Sequence, residues 1–165
     1  MNWRDFVALR WRRSVRLPAM AAAAEQADLI EIHKGERRME LKRDGVALRT
    51  YRIALGFAPT GHKEREGDGR TPEGSYRIDA RNPRSAFHLS LRISYPDPSD
   101  EARAASLGVS PGGDIFIHGQ PNGLRKLFVR HPRQDWTSGC VAVSNREIRE
   151  VWSRVPTGAR VVIRP

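Results

Sequence analysis

Two short stretches carry the residue types that could do covalent chemistry. One is Asp135-Trp136-Thr137-Ser138-Gly139-Cys140-Val141-Ala142-Val143-Ser144-Asn145, which holds the single cysteine of the chain. The other is Asp114-Ile115-Phe116-Ile117-His118-Gly119, whose histidine precedes that cysteine by 22 residues. A cysteine attacks as thiolate, and imidazole is the usual group to take its proton near neutral pH. Cys140 is therefore the candidate nucleophile and His118 the candidate proton acceptor and donor. The carbonyl of Gly119 could accept the other ring N–H and fix the tautomer. The backbone amides of Ser138, Gly139 and Cys140 follow one another in a small-residue turn and could converge on an oxyanion. Against this stand the bland alternatives. A lone cysteine is often a small buried hydrophobe, and a strand-end histidine is often a satisfied structural group. His62, His88 and His131 also compete for the role of base. A Cys/His zinc site is short of ligands, with no second cysteine and no His-x-x-His pair, so neither metal nor cofactor is expected.

The elements that must position these groups read as mainly β. Ile30 and Ile32 alternate with polar neighbours, as do Met39 and Leu41, and Asp44-Gly45 is a two-residue hairpin turn. The return strand offers Val46, Leu48, Tyr51, Ile53 and Leu55 as apolar positions. Residues 56–71, rich in glycine and charge, read as a long exposed loop. Thr71-Pro72-Glu73-Gly74 is a turn, followed by strands over 75–79 and 87–94. Ser99 or Asp100 caps a short helix through Leu107, ended by Gly108. Residues 114–118 and 141–143 are strands around the two chemical motifs. Ser144 and Glu147 form a capping box for an amphipathic helix over 145–155, and 160–164 is a final strand. Residues 120–134 are a basic loop with one helical turn near Leu124.

At 165 residues the chain makes one domain, residues 28–165, behind a basic arm or export-signal remnant over 1–27. In that arm Arg12-Arg13 hints at a twin-arginine signal, and Ala19 to Ala24 at a cleavage site. The net charge of +10 points to polyanions: nucleic acid, anionic lipid or cell-wall polymer. Arg125, Lys126, Arg130, His131 and Arg133 could grip an anionic substrate. Interleaved aromatics, which single-strand binding favours, are represented there by Phe128 alone, so no nucleic acid is expected. No apolar run approaches the roughly 20 residues that span a membrane.

Ile-His-Gly followed by Thr-Ser-Gly-Cys-Val-Ala-Val-Ser-Asn resembles the L,D-transpeptidase catalytic (YkuD-type) domain, and Thr71-Pro72-Glu73-Gly74 matches that family's Thr-Pro-x-Gly turn. The resemblance covers roughly residues 28–165. It implies a β-sandwich or open barrel, peptidoglycan stem peptides as substrate, no metal, and a place in the periplasm or cell envelope. By the same resemblance Cys140 is the nucleophile, His118 the acid/base, and Thr137 and Asn145 join Arg125 and Arg133 as substrate contacts. The commoner family signature carries a histidine two residues before the cysteine and an arginine two after. Here Ser138 and Ala142 stand at those places. This form is similar to a subgroup in which some relatives cut the peptidoglycan–lipoprotein link. Transpeptidation, hydrolysis of that kind, and a non-catalytic basic binding module are thus the readings that the sequence leaves open.

Overall fold

The structure, a computed structural model, describes residues 16–165. Eight strands form one curled sheet: β1 (Leu29–His33), β2 (Arg38–Arg43), β3 (Val46–Arg52), β4 (Gly74–Ser85), β5 (His88–Ile93), β6 (Phe116–His118), β7 (Val141–Ala142) and β8 (Arg160–Arg164). Among the described residues there are also two α-helices, α1 (Pro98–Ser106) and α2 (Asn145–Arg154), and 3-10 turns at Ala23–Glu25 and Gly123–Phe128. The sheet order is β3-β2-β1-β8-β4-β5-β6-β7.

The hairpin β2–β3 forms where expected, because Asp44 and Gly45 both take the positive φ that such a turn requires. β1 lies between antiparallel β2 and parallel β8, so the last strand of the chain enters the middle of the sheet. β8 in turn pairs with β4, whose 12 residues carry the sheet on to β5, β6 and β7. Past β3 the chain bends across to β7. There Ala54 and Ala142 exchange N–H···O bonds of 3.0 and 2.9 Å, and the two ends of the sheet meet. The result is an open barrel rather than two separate sheets.

Ile30, Ile32, Met39, Leu41, Leu89, Leu91 and Ile93 fill the interior with Ile148, Val151 and Trp152 of α2. Each such side chain removed from water contributes about 1.5–3 kcal/mol. α2 begins at the expected capping box: Ser144 Oγ accepts the Glu147 N–H, and the Glu147 carboxylate accepts the Ser144 N–H.

Three expectations need correction. Val46 is exposed and Leu48 only half-buried, because β3 is the edge strand and its register slips at a bulge between Leu41 and Lys42; only Tyr51, Ile53 and Leu55 turn inward. α1 is capped by Asp97, with Pro98 in its first turn, rather than by Ser99 or Asp100. The segment 56–71 is not a wholly exposed loop. Gly56, Lys63, Gly69 and Thr71 are buried in it, and Lys63 Nζ donates to the Asp68 carboxylate at 2.9 Å and to the Arg65 carbonyl at 3.0 Å. The described part of the N-terminal arm is tied to α2, with Ala21 N–H donating to Ser153 O and Ala27 N–H to Arg154 O. Arg12-Arg13 lies outside the described residues.

Candidate active site

β6 and β7 run parallel, with Ile117 opposite Val141 and His118 opposite Ala142. Cys140 therefore stands level with Phe116. Cys140 immediately precedes β7 and His118 ends β6, so both lie where these neighbouring strands pair.

The imidazole of His118 is buried and held on three sides. Phe87 stacks on it at 4.4 Å between centroids, and Trp136 meets it edge-on at 5.6 Å. Nδ1 lies 2.7 Å from the carbonyl oxygen of Gly119. A carbonyl can only accept, so the proton sits on Nδ1 and the Nε2 lone pair is left free. Burial pushes the imidazole pKa down to about 4, with the Gly119 carbonyl opposing the shift and nearby His131 adding to it. At neutral pH the ring is uncharged, which is the form a general base must have.

Cys140 is half-buried. Its sulfur accepts the N–H of Phe116 at 3.4 Å, and its S–H donates to the carbonyl of Asp114, also at 3.4 Å. Burial pushes the thiol pKa up, against the pull of the Phe116 N–H. The resting pair is thus thiol and neutral imidazole. Burial disfavours charge on either group, the imidazolium and the thiolate alike.

The turn that presents the sulfur is fixed from within. Thr137 is buried, and its Oγ1 donates to the Cys140 carbonyl at 2.7 Å and accepts the Gly139 N–H at 3.1 Å. Gly139 has φ of +139°, and a Cβ there would meet the Arg70 carbonyl at 2.8 Å. The turn is also fixed from behind. Asp135 accepts the Leu55 N–H at 2.9 Å and is clasped by the guanidinium of Arg37, with Nη2 at 2.8 Å. Phe57 N–H donates to the Thr137 carbonyl, Thr137 N–H to that of Leu55, and Thr71 Oγ1 accepts the Gly56 N–H at 3.1 Å. The Thr-Pro-Glu-Gly turn therefore supports the cysteine turn through residues 55–57.

Of the three amides expected to bind an oxyanion, that of Gly139 is taken by Thr137. Those of Ser138 and Cys140 have no protein acceptor among the described residues. Thr137 and Asn145 hold the backbone: Asn145 Oδ1 accepts the Gln120 N–H at 2.8 Å, beside the Cα of Gly119. Neither hydroxyl nor amide oxygen is presented as a free substrate contact. Arg125 stands at an apolar groove of about 310 Å³, walled by Phe87, Pro121, Phe128, Val129 and Trp136. Arg133 lines a second cavity of about 750 Å³ formed by residues 130–134. The competing His62 is engaged elsewhere, with Nδ1 accepting the Glu73 N–H at 2.9 Å and Nε2 2.9 Å from Asp100. Glu31, His33 and Glu40 cluster closely enough to suggest a cation site. Lys42, Arg164 and Arg38 already neutralise those carboxylates, so the cluster fits an ion-pair network instead.

Sequence reasoning missed Phe87 and Trp136 as walls of the imidazole, and Arg37 and Asp135 as the brace of the turn. Asp135 and Trp136 abut the cysteine motif and carried a signal. Phe87 and Arg37 carried none.

The single curled sheet, with Cys140 and His118 at the β6–β7 pairing, is the fold of one domain family. The chain belongs to the L,D-transpeptidase catalytic domain (YkuD) family, whose model matches residues 27–163. It is 28% identical over 142 residues to the YafK protein of Escherichia coli (strain K12), itself only provisionally named an L,D-transpeptidase. That match covers 82% of this chain and 50% of the relative, so the chain spans about half the length of the curated relative. Among solved structures it is similar to the helical cell shape determining protein Pgp2 of Campylobacter jejuni. There the TM-score is 0.62 and the identity 23%, over 82% of this chain and 46% of that one. Bd1075 of Bdellovibrio bacteriovorus gives a TM-score of 0.58 at 20% identity, over 90% and 51% of the two chains. These likenesses establish the fold. Among the described residues no helix is long and apolar enough to cross a membrane.

Proposed function

We propose that this domain is a cysteine acyltransferase acting on peptidoglycan stem peptides in the cell envelope. Cys140 attacks the carbonyl of the bond between the third and fourth stem residues. As the S–C bond forms, Nε2 of His118 takes the thiol proton, and the amides of Ser138 and Cys140 face the developing oxyanion. The imidazolium returns its proton to the departing amine as the C–N bond breaks, leaving a thioacyl-enzyme. An acceptor amine then attacks the thioester, His118 takes its proton, and Cys140 leaves and is reprotonated. Gly119 keeps the ring in one tautomer through both halves. The observation that supports this reading is the Nδ1–Gly119 bond that frees Nε2 of His118, which ends β6 beside β7, the strand that Cys140 leads into.

The test is intact-protein mass spectrometry after incubation with a tetrapeptide donor or a carbapenem. The expected result is one adduct on the wild type and none on Cys140→Ala. An unmodified wild type, or an equal adduct on the variant, would sink the proposal. Product analysis with and without an added amine separates transfer from hydrolysis, in which water meets the same thioester.

A further inference from the structure

The basic loop also presents an exposed surface beside the groove. Its 3-10 turn, Gly123–Phe128, has no buried residue. Leu124, Leu127 and Phe128 are 76%, 71% and 86% exposed, more than any other large apolar residue described. In a 3-10 turn side chains three apart eclipse, so Leu124 and Leu127 form one ridge, with Phe128 next to it. Arg125 and Lys126 interrupt the ridge, and Arg130 and Arg133 follow. None of these four cations pairs with a carboxylate among the described residues. From Ile115 to Gln134 the sequence contains no acidic residue at all.

A protruding apolar ridge in a field of free cations is complementary to one kind of surface, which offers hydrocarbon just beneath a layer of negative charge. A hydrated glycan polymer would satisfy the cations but give nothing to two leucines and a phenylalanine. We propose that residues 123–133 dock this domain on an anionic phospholipid bilayer surface, with Leu124, Leu127 and Phe128 entering the headgroup layer. The groove that Phe128 walls together with Phe87 and Trp136 would then open at the membrane face.

The full chain is mixed with vesicles of phosphatidylglycerol in phosphatidylcholine, with phosphatidylcholine vesicles, and with purified peptidoglycan sacculi, and the bound fraction is read by sedimentation. The wild type is expected to partition onto the anionic vesicles. Leu127→Ser/Phe128→Ser is expected to weaken this about tenfold or more, and Lys126→Gln about fivefold. Val46→Ser, which removes an apolar residue 65% exposed on β3, should change nothing. Matching thermal midpoints confirm that the variants fold. Three results each overturn the proposal. The wild type fails to bind anionic vesicles. The double variant binds them like the wild type, so that overall charge alone is at work. Or the double variant loses binding to sacculi while vesicles bind neither protein, which assigns the face to the polymer. No acyl transfer is measured, so this outcome and that of the catalytic reading are independent.

Discussion

The cysteine turn and the basic loop are adjacent in sequence and opposite in construction. In residues 135–140 the Asp135 carboxylate, the Thr137 hydroxyl, N–H and C=O, and the Gly139 N–H all have internal partners. In residues 123–133 the apolar side chains face water and the cations are free. The first region is braced both from within, by the Thr137 hydroxyl, and from distant parts of the chain, by Arg37, Leu55 and Phe57. The second is linked mainly to itself, as by the Arg133 N–H to the Arg130 carbonyl. A reacting atom needs a fixed position within tenths of an ångström, whereas a surface that meets a variable partner does not. The difference separates a turn braced by many partners from a loop linked mainly to itself.

That contrast can be broken or sharpened by measurement. The largest effect is expected at the reacting atoms: Cys140→Ala and His118→Ala each lower acylation by about 10⁴-fold with thermal midpoints little changed, read by single-turnover mass spectrometry. Without substrate, iodoacetamide should alkylate Cys140 at pH 7 no faster than free cysteine, because burial raises the thiol pKa; faster alkylation would reveal a resting thiolate.

Next comes pH. The His118 imidazole titrates at about 4 when folded, against an ordinary value of 6.5 in the unfolded chain. Between these values the unfolded state binds more protons, so stability falls as pH falls. The loss reaches on the order of 3 kcal/mol near pH 4. Urea unfolding at pH 7 and pH 4 measures it, and His118→Asn should remove that part of the slope. The acid limb of kcat/KM should likewise lie well below 6.5.

Gly139→Ala, with a clash on the Arg70 carbonyl and an unfavourable φ, is expected to cost about 2–3 kcal/mol and to lower Tm by roughly 5–10 °C. Thr137→Val keeps the shape and removes two hydrogen bonds, costing about 1–2 kcal/mol, with Thr137→Ser restoring most of it. At the far end, Arg130→Ala and Arg133→Ala in the basic loop should move stability by less than about 0.5 kcal/mol. A larger loss there would mean that the loop is braced as the turn is.

The sequence by itself determined the local events. Alternating isoleucines made β1, Asp44-Gly45 made the hairpin, and Ser144 and Glu147 started α2. Each depends on residues within a few positions of one another, where propensity and hydrogen-bond geometry decide. Tertiary structure decided what depends on distant partners. It placed β8 between β1 and β4, and set Phe87 and Trp136 around the imidazole. It joined Arg37 to Asp135 across 98 positions, turned Val46 outward at the edge and drew Lys63 inward. It also set how far the two groups depart from their ordinary titration, since burial lowers the imidazole pKa and raises that of the thiol.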